Sequence, residues 1–210
     1  MLILDCNEKD DLDKGISIIK QGGILIFPTD TVYGIGCDPY NEQAVKKIYK
    51  IKKRNQIKPL PLLTYNIHLV RKLINLGKTG ERLAEVFWPG KLTIIGDLID
   101  DNISKMITGG KKSLGIRIPN NTCILKILRS CDFIVGTSAN ISNREACISS
   151  QQILDSELKG YDALLVNDDK LLNNNLTGST IIDITQNSME IIREGSIKTK
   201  DIYEILNRQT

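Results

Sequence analysis

The chain has 210 residues, 41% of them hydrophobic and 25% charged, which is an ordinary composition for a globular protein with a sizeable core. The net charge is only +3, no apolar run approaches the roughly 20 residues that a membrane-spanning helix needs, and the N-terminus lacks a signal-peptide pattern. We therefore expect a cytoplasmic, non-membrane protein that folds as one domain over residues 1–210.

Hydrophobic periodicity and Gly or Pro breakers predict alternating strands and helices. The predicted strands are 1–6, 23–27, 60–64, 92–95, 114–118, 133–135, 163–166, 180–184 and 190–193. The predicted helices are 10–21, a helix capped by Asn41 that runs to 53, 66–75, 79–87, 121–130, 150–159 and 199–208. This alternation indicates an α/β fold, and short connections such as 186–188 indicate that part of the sheet is antiparallel. The prolines at 59 and 61 suit an edge strand or a strand start, and Asn173–Asn175 is predicted to be a loop.

Positive charge is concentrated in one segment of the sequence. Residues 43–80 hold ten Lys or Arg and no Asp or Glu, so the rest of the chain has 18 basic and 25 acidic residues and a net charge of −7. This distribution points to a polyanionic ligand, either nucleotide phosphates or RNA. A solvated helix face with cations near its C-terminus is the alternative.

The cysteines and the histidine give little sign of metal or nucleophilic chemistry. The five cysteines are widely spaced, and no Cys-x-x-Cys pair occurs: they are Cys6, Cys37, Cys123, Cys131 and Cys147. His68 is the only histidine, which argues against a zinc site and against a Ser-His-Asp triad. We expect small buried thiols, and a helix-surface or packing role for His68.

Small polar side chains follow three predicted strands. The run Thr29–Gly34 follows strand 23–27, Thr137–Asn140 follows strand 133–135, and Arg117 lies near the end of strand 114–118. Because binding groups concentrate on loops held by a rigid scaffold, we expect these segments to share one site. The cations Lys52, Arg54 and Lys58 lie on an irregular segment before a proline, which makes them a candidate triphosphate clamp.

Familiar nucleotide signatures are missing. Gly110-Lys111 lacks the preceding glycine of a Walker loop, and Gly34-Ile35-Gly36 lacks the third glycine of a dinucleotide fingerprint. Any nucleotide must be held in another way.

Seven motifs occur in the order typical of the YrdC family, and together they span nearly the whole chain. They are Pro28-Thr29-Asp30-Thr31-Val32-Tyr33-Gly34; Lys52, Arg54 and Lys58-Pro59-Leu60; Trp88-Pro89-Gly90-x-Leu92-Thr93; Arg117-Ile118-Pro119; Thr137-Ser138-Ala139-Asn140-x-Ser142; Gly178-Ser179-Thr180-x-x-Asp183; and Arg193-x-Gly195. On these motifs the chain resembles the threonylcarbamoyl-AMP synthases of that family.

The resemblance implies a twisted mixed parallel and antiparallel sheet flanked by helices, with a basic concave face. It implies that L-threonine, bicarbonate and ATP are joined into threonylcarbamoyl-AMP and pyrophosphate, with Mg²⁺ arriving with ATP. The product serves the modification of tRNA next to the anticodon through a downstream threonylcarbamoyl transferase complex. Contact with tRNA or double-stranded RNA is a further implied partner, and we expect a monomer.

The motif positions imply roles for individual residues. Those that match threonine-binding positions are Thr31, Arg117, Thr137 and Ser179. Those that match or adjoin nucleotide positions are Lys52, Arg54, Lys58, Ser113, Ser138, Ala139 through its backbone, Asn140 and Arg193. No residue is expected to act as a covalent catalyst, because positioning and charge stabilisation suffice for this chemistry, and no protein-bound metal is expected.

The chain departs from the family pattern at several positions. Asn55 replaces the proline usual after the arginine, and Asn143 replaces a glycine, although Asn tolerates positive φ. Leu63 lies where some archaeal relatives place a histidine near threonine. Two other functions stay open at this point: a non-catalytic RNA-binding module, and a carbamoyl-transferring relative that uses carbamoyl phosphate.

Overall fold

The computed structural model describes residues 1–100, 102–167, 177–186 and 188–208. The helices are α1 (Lys9–Lys20), α2 (Glu42–Ile51), α3 (Ile67–Leu73), α4 (Gly77–Phe87), α5 (Lys105–Thr108), α6 (Thr122–Cys131), α7 (Ser150–Asp155) and α8 (Thr199–Asn207). The strands are β1 (Leu2–Asp5), β2 (Leu25–Phe27), β3 (Gly34–Gly36), β4 (Leu62–Leu63), β5 (Ile74–Asn75), β6 (Leu92–Leu98), β7 (Ser113–Arg117), β8 (Ile134–Val135), β9 (Thr137–Ser138), β10 (Ala163–Val166), β11 (Thr180–Asp183) and β12 (Glu190–Arg193). The predicted Asn173–Asn175 loop and the predicted turn at Asn187 lie outside the described residues. Within the described ranges, no helix has both the length and the hydrophobicity to cross a membrane.

The strands form two mixed sheets. The first sheet has the order β1-β10-β2-β3-β9, with parallel pairing from β1 to β2 and antiparallel pairing from β2 to β9. The second has the order β12-β11-β6-β7-β4-β8, and β5 pairs with β6 outside this path. The prediction of an α/β fold with a partly antiparallel sheet is therefore confirmed.

Strand β4 corrects one expectation from the sequence. It lies between β7 and β8, so the option of an edge strand was wrong. The strand is only two residues long and begins directly after Pro61, which agrees with the other option, a strand start. Proline lacks the N–H that a ladder needs, but at this point it precedes the ladder.

Helix α2 follows its sequence pattern closely. The side chain of Asn41 accepts a hydrogen bond from the Ala44 N–H at 3.0 Å, as the predicted cap requires. Val45, Ile48 and Tyr49 are buried against the core, as their helical spacing predicts. The exposed lysines of the same helix carry part of the positive charge of segment 43–80.

The cysteine prediction was wrong for two of the five residues. Cys6, directly after β1, forms a disulfide with Cys123 in the first turn of α6, with an S–S distance of 2.04 Å. Both lie in an apolar cluster between the first sheet and the packed pair α1 and α6. Cys37 and Cys147 are buried free thiols, as expected, and Cys131 is partly exposed. The sequence spacing could not reveal the pair, because 117 residues separate the two cysteines.

The two sheets meet where the chain passes from β8 to β9. The N–H of Val135 in β8 donates to the carbonyl of Cys37, directly after β3, at 2.9 Å. Gly36 lies at this junction, and a Cβ atom there would come within 2.0 Å of the Val135 carbonyl oxygen. Only a residue without a side chain permits this close approach. The polar run that begins at Thr137 is therefore delivered to the seam between the sheets.

Candidate active site

A cavity of about 530 Å³ is lined by strand ends and loops of both sheets. Its size falls in the range of small-molecule sites. Most of the residues singled out from the sequence line it together: Thr31, Lys52, Arg54, Ser113, Arg117, Thr137, Ser138, Asn140, Ser179 and Arg193. The polar segments that follow three separate strands thus converge on one place.

Arg117 forms a fixed guanidinium on one wall of the cavity. It ends β7 and is only 6% exposed. Its Nη2 donates to Asp30 Oδ1 at 2.5 Å, its Nη1 to Thr31 Oγ1 at 2.9 Å, and its Nε to the carbonyl of Gly90 at 2.8 Å. Burial lowers the pKa of Arg117, and the Asp30 carboxylate opposes that effect. An arginine nevertheless stays protonated, so the wall carries a positive charge that is compensated by Asp30.

The turn after β2 presents hydroxyl groups beside this guanidinium. Thr29 Oγ1 donates to the carbonyl of Val32 at 2.6 Å and accepts from the N–H of Thr31 at 3.1 Å. Thr29 Oγ1 also lies 3.0 Å from Thr31 Oγ1. Short-range bonds between hydroxyls and the backbone are typical of such turns. They hold Thr31 in place at the cavity.

A second group of hydroxyls lies on β6 and beside β11. Ser179 Oγ lies 2.8 Å from Thr93 Oγ1, and both residues are buried. Arg193 donates to the carbonyl of Ser179 from Nη2 at 2.6 Å and from Nε at 3.2 Å. Burial lowers the pKa of Arg193. Arg193 thereby braces the Ser179 loop and also places a cation on the cavity wall.

Lys52 joins the end of α2 to the loop after β9. Its side chain is buried, and its Nζ donates to the carbonyl of Ser138, to the carbonyl of Asn140 at 2.8 Å and to Asn140 Oδ1 at 3.4 Å. Burial, reinforced by repulsion from Arg54, lowers the pKa of Lys52 to about 7. In the reverse direction, the Ser142 N–H donates to the Lys52 carbonyl at 2.8 Å. These bonds fix the loop that carries Ser138 and Asn140.

Arg54 lies on the irregular segment that follows α2. Its Nη2 donates to the carbonyl of Pro59 at 2.9 Å, and burial lowers its pKa. The hydroxyl of Tyr49 lies 2.9 Å from the carbonyls of both Lys58 and Met106, which ties this segment to α5. The predicted clamp is therefore a braced backbone segment with the Arg54 guanidinium on the cavity wall.

Two of the residues singled out from the sequence do not line the cavity. Lys58 is exposed to solvent and is not among the residues that line the cavity. Ala139 is fully buried, and its N–H donates to the carbonyl of Tyr33 at 2.7 Å. That N–H is thus engaged by the protein itself, so the expected nucleotide contact through this group has no free donor in this structure.

The structure adds cavity residues to which no role was given from the sequence. Thr93 belongs to the tryptophan motif, so its place in that motif was a signal that could have been used. Lys111 and Arg144 also line the cavity, but both lie in loops without a periodic pattern. Only the fold brings these two cations to the site.

Two departures from the family pattern also lie at the cavity. Asn143 has a φ of 67°, so it adopts the backbone conformation for which glycine would otherwise be suited. Leu63 is 4% exposed and packs on Gly136, where a Cβ atom would come within 2.3 Å of the Leu63 Cγ. The wall at position 63 is therefore apolar in this protein.

The cavity is strongly positive. Its described lining holds six cations, namely Lys52, Arg54, Lys111, Arg117, Arg144 and Arg193, and one carboxylate, Asp183. Asp183 Oδ1 already accepts from the N–H and the hydroxyl of Thr185, at 2.9 and 2.7 Å. Such a surface is complementary to a polyphosphate. Hydroxyls and a compensated guanidinium at one end can hold a small polar molecule beside it.

Comparison with known proteins assigns the chain to a family. A family model for Sua5, YciO and YrdC, described as telomere recombination, matches residues 17–195. The chain belongs to this family. The recognition made from the seven motifs is thereby confirmed.

Several known proteins are similar to the chain in sequence or in structure. A threonylcarbamoyl-AMP synthase from Psychromonas ingrahamii is 34% identical over 150 residues, which are 70% of this chain and 78% of that protein. A protein from Mycobacterium tuberculosis, named as a putative threonylcarbamoyl-AMP synthase, is 28% identical over 96% of this chain and 94% of its own length. The crystal structure of P. abyssi Sua5 complexed with L-threonine superposes with a TM-score of 0.91 at 26% identity. That superposition covers 99% of this chain and 61% of the P. abyssi protein.

Proposed function

We propose that this protein is a threonylcarbamoyl-AMP synthase that condenses L-threonine, bicarbonate and ATP into threonylcarbamoyl-AMP and pyrophosphate. The observation that carries the proposal is the single cavity in which Thr31 and Arg117 lie together with the cations Arg54 and Arg193. The names of the relatives and the threonine complex of Sua5 support the same reading. The reaction makes the protein a nucleotidyl-transferring enzyme.

The proposed threonine end of the cavity is formed by Thr31, Arg117, Thr137 and Ser179. A guanidinium suits the substrate carboxylate, and hydroxyls suit its ammonium and its side-chain oxygen. The proposed ATP end is formed by Arg54 and Arg193, with Ser113, Ser138 and Asn140 as polar contacts. Lys52 supports this end by holding the loop of Ser138 and Asn140.

The chemistry needs no protein nucleophile. The threonine amine attacks the carbon of bicarbonate, and a C–O bond breaks with loss of water to give a carbamate. A carbamate oxygen then attacks the α-phosphate, and the bond from the α-phosphate to the leaving pyrophosphate breaks. The protein must bring three substrates into one geometry and stabilise phosphoryl charge. The fixed Arg117 and Arg193 and the braced Arg54 are organised for this task, because each is held by backbone or side-chain acceptors before substrate binds.

We propose that Mg²⁺ enters with ATP and is held mainly by phosphate oxygens, where it would neutralise developing charge. The donor set fits this arrangement. Among the described residues, no cluster of three or more His, Cys, Asp or Glu could hold a metal by itself. Asp183 is the carboxylate on the described cavity wall. Its Oδ1 accepts from Thr185, so its Oδ2 is the candidate contact to the hydrated ion.

We also propose an RNA partner and a downstream enzyme. A basic surface that includes the exposed face of α2 supports contact with tRNA or double-stranded RNA, and the labile product requires a downstream threonylcarbamoyl transferase. The proposed protein is cytoplasmic and monomeric and consists of one domain.

Discrimination between threonine and valine tests the proposed substrate. Valine lacks the hydroxyl, and a site built to bind that group should reject the analogue by about 10⁴-fold in kcat/KM. Pyrophosphate release is measured with each amino acid in the presence of ATP and bicarbonate, and omission of bicarbonate gives the background. Equal turnover of the two amino acids would contradict the proposal. Turnover with carbamoyl phosphate in place of bicarbonate and threonine would favour the carbamoyl-transferring alternative.

A further inference from the structure

The pair of Asp30 and Arg117 is a buried ion pair at the proposed threonine end. The side chain of Asp30 is 9% exposed and that of Arg117 is 7% exposed, and the two are joined by the 2.5 Å contact from Nη2 to Oδ1. The other ion pairs among the described residues lie at the surface, with side-chain exposures between 23% and 64%. Arg117 lines the cavity, whereas Asp30 is not among the lining residues. A buried ion pair is costly to desolvate, so its presence next to the cavity calls for an explanation.

The carboxylate of Asp30 has capacity that the protein does not use. Its Oδ2 is buried and has no hydrogen-bond partner among the described residues. Among the described residues, the hydrogen-bond partner of the Asp30 carboxylate is Arg117. Without Asp30, Arg117 would face the positive cavity, including Arg193, as an uncompensated cation.

We propose that Asp30 is a positioning residue that determines specificity, because it fixes Arg117 and cancels its charge so that this end of the cavity accepts a zwitterion and not an anion. The inference rests on the proposed function. An amino acid at neutral pH carries both an ammonium and a carboxylate, so it loses little at a wall of zero net charge. A hydroxy acid of the same shape carries only the carboxylate, and the negative potential of Asp30 disfavours it.

Loss of the Asp30 charge should change the preference for threonine over the hydroxy acid, and not only the affinity for threonine. Asp30→Asn keeps an oxygen that can accept from Arg117 but removes the negative charge. The variant should therefore bind threonine more weakly and should bind the hydroxy acid, in which a hydroxyl replaces the α-ammonium group, as well as or better than before. The ratio of the two affinities should fall by about tenfold or more, the size expected for close charge pairs. Asp30→Glu keeps the charge and should preserve most of the ratio even if both affinities drop.

The experiment is isothermal titration calorimetry of the full chain with threonine and, separately, with the hydroxy acid. Glu81→Gln is the matched control, because it breaks the exposed pair with Arg71 and should leave the ratio unchanged. Circular dichroism checks folding, and Asp30→Ser carries the same test if Asp30→Asn does not fold, since water can fill the space.

An unchanged ratio of the two affinities in a folded neutral variant would overturn the inference. This includes an equal loss of affinity for both ligands, which would indicate a merely structural role. Failure of the unsubstituted protein to bind threonine would overturn the proposed function instead, and it would be seen before any substitution is made.

Discussion

Lys52 shows how the role of one residue depends on which face of helix α2 it continues. It follows Val45, Ile48 and Tyr49 at the next position of the same helical stripe, so the pattern that buries those residues also buries Lys52. The sequence predicted a cation on the phosphate path. The structure shows a buried ammonium whose three acceptors belong to the loop of Ser138 and Asn140, and the spacing of the apolar stripe was the available signal.

Lys52 should make the stability of the protein depend on pH. Burial lowers its pKa from 10.5 to about 7, so between these values the unfolded chain binds more protons than the folded chain. The free energy of unfolding should therefore rise with pH across this window, because the cost of the buried charge is relieved. Urea unfolding of the unsubstituted protein and of Lys52→Met is compared from pH 6 to about pH 10.

The difference in unfolding free energy, unsubstituted protein minus variant, should increase through this range. Lys46→Met removes an exposed lysine from the same helix and serves as the control. A difference that stays flat, or that shrinks with rising pH, would show that the Lys52 ammonium is not penalised by burial.

Among the elements, long periodic segments were predictable and short ones were not. The amphipathic helices α1, α2 and α6 agree with their predicted ranges to within about two residues, the usual uncertainty of helix ends. The strands β3, β5 and β9 and the single turn α5 were missed. Two or three residues are too few to show a period, and β3 contains two glycines, which sequence patterns assign to turns. Pairing with strands elsewhere in the sequence creates the three short strands.

The disulfide between Cys6 and Cys123 should stabilise the protein by linking the residue after β1 to α6. It closes a loop with a sequence separation of 117 residues, and for a loop of this length the chain-entropy model gives about 4–5 kcal/mol. The double variant Cys6→Ser/Cys123→Ser should lose stability of this order in urea unfolding under non-reducing conditions. Reductant should lower the unfolding midpoint of the unsubstituted protein and leave that of the double variant unchanged. Alkylation in denaturant without reductant should label three cysteines, and labelling of all five would contradict the pairing.

Glycine at position 36 should be required for the junction of the two sheets. A methyl group there would lie 2.0 Å from the Val135 carbonyl oxygen, a backbone atom that cannot move aside cheaply. Gly36→Ala should therefore destabilise the protein by about 1–3 kcal/mol or more. Gly15→Ala in α1 is the matched control, since its methyl group meets side chains only at 3.5 Å and beyond and should stabilise the helix by about 0.5–1 kcal/mol. Equal melting temperatures for the two variants would contradict this account of the junction.

At the scale of the whole molecule, the sequence predicted the members of the site better than their geometry. Motif residues that follow strands converge because neighbouring strand ends lie at one seam, so Thr31, Arg117 and Thr137 could be grouped in advance. The sequence could not tell that Ala139 is fully buried and Lys58 exposed, and that neither lines the cavity. Nor could it reveal the Asp30–Arg117 pair, because residues 87 positions apart leave no local pattern.

A variant that damages the site without damaging the fold separates a loss of catalysis from a loss of structure. Arg54→Ala suits this purpose, because Arg54 is half-buried and its hydrogen-bond acceptors among the described residues are backbone carbonyls of its own segment. Arg117→Ala is less suitable, since it would leave the Asp30 carboxylate buried and unpaired, at a cost of about 3–5 kcal/mol. Arg129→Ala, at an exposed position of α6, is the control for loss of an arginine.

The central claim is that one cavity joins threonine, bicarbonate and ATP. Its most direct test is mass spectrometry of the products that the purified protein forms from ATP, threonine and bicarbonate labelled with a heavy carbon isotope. The account predicts threonylcarbamoyl-AMP carrying one heavy carbon, together with pyrophosphate, from the unsubstituted protein and from Arg129→Ala, and little or none from Arg54→Ala. Absence of the labelled adenylate from the folded, unsubstituted protein, or its undiminished formation by Arg54→Ala, would contradict the account.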